Sequence, residues 1–118
     1  MGKKIVLFAF QGELMCFLHV MLNGLDMKKR GFDVQVVIEG QATKLIKTFH
    51  DGGKDLPFLN IWTEFKAAGL IHAVCKSCAT KMGSIREAEL EHLPIVGDMS
   101  GHPAMAPYLD AGYEIISF

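Results

Sequence analysis

Five runs of apolar and β-branched residues, each closed by a turn or a polar residue, constrain this chain more than any other feature. They are KIVLFAF (Lys4–Phe10), DVQVVIEG (Asp33–Gly40), GLIHAVC (Gly69–Cys75), LPIVGDM (Leu93–Met99) and YEIISF (Tyr113–Phe118). Their apolarity is continuous rather than alternating, the pattern of strands covered on both faces.

Helical patterns separate them. Leu14, Leu18, Met21, Leu22 and Leu25 keep helix period, and Lys28, Lys29 and Arg30 stand where a helix C-terminus favours cations, before Gly31. QATKLIKTFHDGG is a shorter amphipathic helix. In LPFLNIWTEFKAAG, Phe58, Ile61, Trp62 and Phe65 share a face, and HPAMAPYLDAG opens with Pro103 and stops at Gly112. Strands alternating with helices imply right-handed βαβ units. The expectation is one α/β domain over residues 1–118, a three-layer α/β/α sandwich of flavodoxin-like architecture around a five-stranded parallel sheet.

Apolar residues make up 50% of the 118 and charged residues 21%, which is enough to build a core without disulfides. The net charge of -1 gives no electrostatic footprint for nucleic acid or an anionic membrane. MGKKIVLFAF lacks the h-region and cleavage site of a signal peptide, and no run approaches a membrane span. A cytoplasmic location with reduced thiols is expected. Helix 1 carries no fixed charge from Leu14 to Leu25, so its outer face is expected to be covered by another subunit.

Catalytic groups of open parallel sheets gather beyond the carboxyl ends of the strands. Those ends hold Gln11, Gly12 and Glu13 after the first run, Glu39 after the second, Cys75 after the third, and Asp98, Ser100, Gly101 and His102 after the fourth. A thiol, three carboxylates and an imidazole thus share one edge. The same loops contain no GxGxxG, no GxxxxGK[ST], no GxSxG and no Ser/Thr-rich phosphate loop, which disfavours a dinucleotide enzyme, an NTPase, a Ser hydrolase and a flavodoxin. No cofactor is expected.

Cys75 and Cys78 form the one CxxC. Zinc would take these two and His102, but the rest of its ligands must come from distant positions, so no metal is expected from the motif alone. Thioredoxin chemistry fits poorly, because the motif follows the third strand rather than an early one. An activated nucleophile fits better: Ser77 would cap a short helix in SCATKMG, and that helix end with Lys76 would lower the pKa of Cys75. Cys78 would then resolve a disulfide or persulfide on Cys75. Cys16, inside helix 1, reads as core filling. Among the histidines, His50 and His92 read as surface, His72 as a satisfied strand residue and His19 as core or interface. His102 is left between proton transfer and capping its own helix.

HAVCKSCATKMG, the element order and the ending GYEIISF resemble the DsrE/DsrF-like family of sulfur-relay proteins. The stretches MCFLHVMLNGLDM, VVIEGQATKLI and GDMSGHPAMAPYLDAGYEIISF are similar to a small stand-alone branch of it. The resemblance implies a persulfide carried on Cys75, homotrimers or hexamers, and protein donors and acceptors of sulfur. Lys76 and Ser77 would stabilise the anion there, with Glu13, Glu39, Asp98 and His102 shaping the pocket. Two other functions stay open: an oligomeric protein that holds a metal or small molecule at this edge without turnover, and a subunit that acts through partner contacts.

Overall fold

The computed structural model describes residues 2–118. Strands β1 (Lys4–Ala9), β2 (Asp33–Ile38), β3 (Ile71–Cys75), β4 (Ile95–Val96) and β5 (Glu114–Ser117) form one sheet in the order β4-β3-β2-β1-β5. Every neighbouring pair is parallel. The fold is the expected three-layer α/β/α arrangement, but its two helical layers are unequal, for a topological reason. The steps from β1 to β4 all run in one direction across the sheet, and right-handed crossovers put their connections on one face. That face carries α1 (Leu14–Lys29), α2 (Lys44–Asp51), α3 (Leu59–Ala67), α4 (Lys76–Lys81) and α5 (Ile85–Leu90). Only the return from β4 to β5 covers the other face, with the loop after β4 and the short α6 (Ala106–Asp110).

The core divides accordingly. Leu7, Val36 and Ile38 point to the thick layer and pack on Phe17, Met21, Ile46 and Phe65. Trp62 lies flat on Phe49 there, ring centroids 5.0 Å apart and planes 9° off parallel. Val6, Phe8, Val37 and Ala73 point the other way and are closed over by Tyr108 of α6, whose ring meets Phe8 edge-on at 5.7 Å. Full burial of each large side chain contributes about 1.5–3 kcal/mol.

Several local expectations change. The fourth run narrows to Ile95–Val96, since Pro94 and Gly97 flank it and neither suits a strand interior. The helix α5, unread in the sequence, buries only Ala88 and so leaves almost no apolar stripe to detect. Pro103 lies in the loop, and α6 begins at Ala106 with Pro107 in its first turn. Helix α1 buries Phe17, Val20, Met21 and Gly24 while Met15 and Leu22 stand exposed. His72 is the extra residue of a bulge: Val36 faces Ile71 and Val37 faces Ala73, which leaves His72 unpaired. Its Nδ1 reaches the Tyr108 hydroxyl at 2.6 Å.

The loops leaving β3 and β4 depart to opposite faces, which makes the gap between their carboxyl ends the topological switch point, where open α/β sheets hold their ligands.

Candidate metal centre

Cys75 is the last residue of β3 and the N-cap of α4. Ser77, the cap expected from the sequence, lies inside the helix instead, and the Cys75 sulfur itself accepts the Cys78 N–H at 3.3 Å. A cysteine at the N-cap with a second one three residues on brings both sulfurs to the same side of the first turn.

His102 arrives from the other side of the switch point. Met99 and His102 pair as an antiparallel bridge, each donating its N–H to the other's carbonyl at 2.8 and 2.9 Å. The two residues between them, Ser100 and Gly101, both have positive φ (49° and 92°), the conformation of a tight primed turn. The Ser-Gly pair of the MSGH stretch is the local sequence signal for such a turn. The Gly101 carbonyl accepts the Ser77 N–H at 2.8 Å, tying the turn to α4. As a result, His102 Nδ1 lies 3.0 Å from Cys75 Sγ and 3.6 Å from Cys78 Sγ. Standing four residues ahead of α6, whose N-cap is Met105, His102 does not cap it.

Glu39 completes the group. It follows β2, donates its backbone N–H to the Ala9 carbonyl at 2.8 Å, and opens a 3-10 turn (Gly40–Thr43). One donor atom from each of Glu39, Cys75, Cys78 and His102 lies within 4.8 Å of every other. Cys75 is wholly buried and Glu39 only 7% exposed, while Cys78 and His102 are half-buried.

The electrostatics differ from the sequence expectation. Cys75 was expected to have a lowered pKa; burial instead pushes its thiol up to about 12. The Cys78 side chain and the charge of Glu39 add to the rise, and only the Cys78 N–H opposes it. Lys76, expected to help, is exposed. Burial also raises Glu39, against the charge of His102. Burial thus favours the neutral forms of Cys75 and Glu39, with both thiols and the carboxyl crowded together out of water.

The remaining nominated residues lie apart from this cluster. Glu13 is exposed before α1 and makes no side-chain cap bond. Asp98 is exposed, accepts the Ala104 N–H at 3.4 Å and borders a cavity under α6 with His72 and Tyr108. Lys76 and Ser77 line a shallow depression with Gly97 and Gly101. Of the three carboxylates at this edge, only Glu39 reaches the thiols. Cys16 is half-buried beside exposed His19; His50 and His92 are exposed as expected.

A cavity of about 520 Å3 adjoins the cluster from the thin-layer side. Phe10, Met99, Pro103 and Met105 form its walls, and Glu39 and His102 face into it.

No helix among the described residues is long and apolar enough to cross a membrane. No protein-family model matches the chain, and no solved structure does. An uncharacterized protein of Methanocaldococcus jannaschii is 27% identical over 106 residues, 90% of this chain and 83% of that protein. Two uncharacterized proteins of Archaeoglobus fulgidus are also similar. One is 35% identical over 52 residues, 44% of this chain and 85% of that protein; the other is 43% identical over 37 residues, 31% of this chain and all of that protein. At those identities and with that coverage of both Archaeoglobus proteins, the chain belongs to one family with these uncharacterized archaeal proteins.

Proposed function

We propose that the protein binds a soft or borderline divalent metal ion, zinc above all, through Glu39, Cys75, Cys78 and His102. The observation that carries this reading is the convergence of the four donor atoms within 4.8 Å at a buried sheet edge. Sulfur and nitrogen ligands of one tetrahedral zinc stand roughly 3.5 Å apart. The Cys78–His102 separation of 3.6 Å already matches, and the Cys75–His102 contact at 3.0 Å opens slightly around an ion. Two thiolates select zinc over magnesium or calcium, and a cation is what makes two sulfurs and a carboxylate compatible in so little water. The Cys78 N–H on the Cys75 sulfur is the kind of outer contact that steadies a metal thiolate. The fourth ligand that the CxxC motif leaves open is Glu39.

Elemental analysis of purified protein tests this directly. One zinc per chain is expected, with loss in Cys78→Ser and in His102→Ala; a metal-free protein that also fails to take up cobalt(II) rules it out.

One observation favours the persulfide relay as a second reading: Cys78 is half-exposed beside the buried Cys75. The Cys78 thiolate would attack the outer sulfur of a donor persulfide, and the donor would leave as its thiolate. Cys75 would then attack the Cys78 sulfur, closing a disulfide and releasing hydrosulfide, and an external dithiol would restore both thiols. This order reverses the roles expected from the sequence, because Cys75 is the enclosed thiol. A one-sulfur adduct on Cys75→Ser by mass spectrometry, with hydrosulfide release and disulfide formation by wild type, after exposure to a persulfide donor supports the relay; absence of both, or persistence of the adduct in Cys75→Ser/Cys78→Ser, counts against it.

Assembly into homo-oligomers is part of either reading and rests on the exposed Met15 and Leu22 of α1. Sedimentation at micromolar concentration tests it, and a monomer overturns it.

A further inference from the structure

The cavity beside the cluster has an uneven chemistry. Its walls are Phe10, Met99, Pro103 and Met105, with two alanines between them, while its polar groups are the Glu39 carboxylate and the His102 imidazole. Both are donors of the cluster; Cys75 and Cys78 lie behind them and do not face the cavity. A molecule seated here therefore meets apolar surface everywhere except where two metal ligands come forward. At about 520 Å3 the space falls within the range of small-molecule sites.

Of the two ligands that face the cavity, Glu39 is the more replaceable. Carboxylate is the hardest donor in the set, and an ion already held by two thiolates prefers a third soft donor to it. His102, in contrast, is fixed by the Met99–His102 bridge and by the turn tied to α4.

We propose that this cavity binds a small apolar thiol, whose sulfur coordinates the metal ion in place of Glu39. This rests on the metal reading above. In the exchange a metal–sulfur bond forms, the metal–oxygen bond to Glu39 breaks, the thiol proton passes to solvent, and no redox change occurs. The hydrocarbon part lies against Phe10, Met99 and Met105, covering two methionines that otherwise stand exposed. The protein then acts as a carrier or sensor for hydrophobic thiols, and its selectivity comes from two independent demands, a soft head and an apolar body.

Cobalt(II)-loaded full-length protein provides the test, because thiolate coordination changes the visible absorption of the ion. Titration with ethanethiol, butanethiol and hexanethiol is expected to give a saturable spectral change, with affinity rising about fourfold per added methylene. The matching alcohols are expected to give none. Met105→Lys, which sets a solvated charge on the cavity wall, is expected to keep the cobalt spectrum and flatten the dependence on chain length. If no cobalt spectrum forms at all, the metal reading falls and this inference with it. If cobalt binds but thiols leave the spectrum unchanged, act no better than alcohols, show no chain-length dependence, or strip cobalt from the protein, this inference alone is overturned.

Discussion

The hydroxyl of Ser84 donates to the carbonyl of Thr43 at 2.7 Å across 41 residues of sequence, and both residues are completely buried. Thr43 ends the 3-10 turn that Glu39 opens, and Ser84 stands between α4 and α5. The bond therefore joins the segment carrying the carboxylate to the segment carrying the thiols.

Ser84→Ala leaves the Thr43 carbonyl buried without this donor, which costs about 1–3 kcal/mol. Chemical denaturation is expected to show that loss. Metal affinity is expected to fall with it, because the spacing of Glu39 from Cys75 loses its tie. Unchanged denaturation would mean that the carbonyl finds another donor.

Gly101→Ala acts on the opposite side of the site. Gly101 holds φ at 92°, and a Cβ there meets the Ser77 Cβ at 3.1 Å. The strain costs roughly 1–2 kcal/mol, and the turn bearing His102 shifts away from α4. Metal affinity is expected to drop about tenfold or more, as for loss of a supporting outer contact. Competition with a chelator measures it, and wild-type affinity would show that the turn does not position His102.

Trp62→Ala is expected to destabilise the protein by about 3–5 kcal/mol, the cost of removing a buried aromatic from a packed core. Trp62 is 2% exposed and stacks on Phe49. The residue is remote from the thin layer, so metal stoichiometry of the folded fraction is expected to stay at wild type. Denaturant midpoint and elemental analysis together check both halves of this expectation.

The pH dependence of stability has a clear contributor in Glu91. Burial alone would raise its carboxyl, but hydrogen bonds and charge from Lys66 and His50 outweigh that and hold it below its ordinary 4.5. A carboxylate depressed in the folded state stabilises above its unfolded pKa and loses that contribution as pH falls through its folded value. Glu91→Gln is thus expected to lower the thermal midpoint near pH 7 and to match wild type well below pH 4. A difference that persists undiminished in acid would assign the effect to packing instead.

The strands, their parallel arrangement and the chemical edge are legible in the sequence because continuous apolar runs and strand-end residues are local patterns. The meeting of four donors is not local. Cys75 and Cys78 are visible as a pair, but three carboxylates compete for the place beside them, and only the chain's path after β2 brings Glu39 there while Glu13 and Asp98 fall outside. The direction of the Cys75 pKa shift was likewise out of reach. Lys76 is adjacent in sequence and suggests a lowered value, whereas burial, which depends on what closes over the sulfur, raises it. The cavity walls, Met99 and Met105, flank His102 in the sequence, yet nothing in their spacing says that they turn toward Phe10.

The crossover from β4 back to β5 also sets the order of events during synthesis. A growing chain that has emerged through β4 carries both thiols and Glu39, but His102 comes later, and its loop is secured only when Tyr108 closes on Phe8 and β5 docks beside β1. On the metal reading, the four donors are complete only once this β4–β5 return has folded, and an ion held by all four would report that the return is in place.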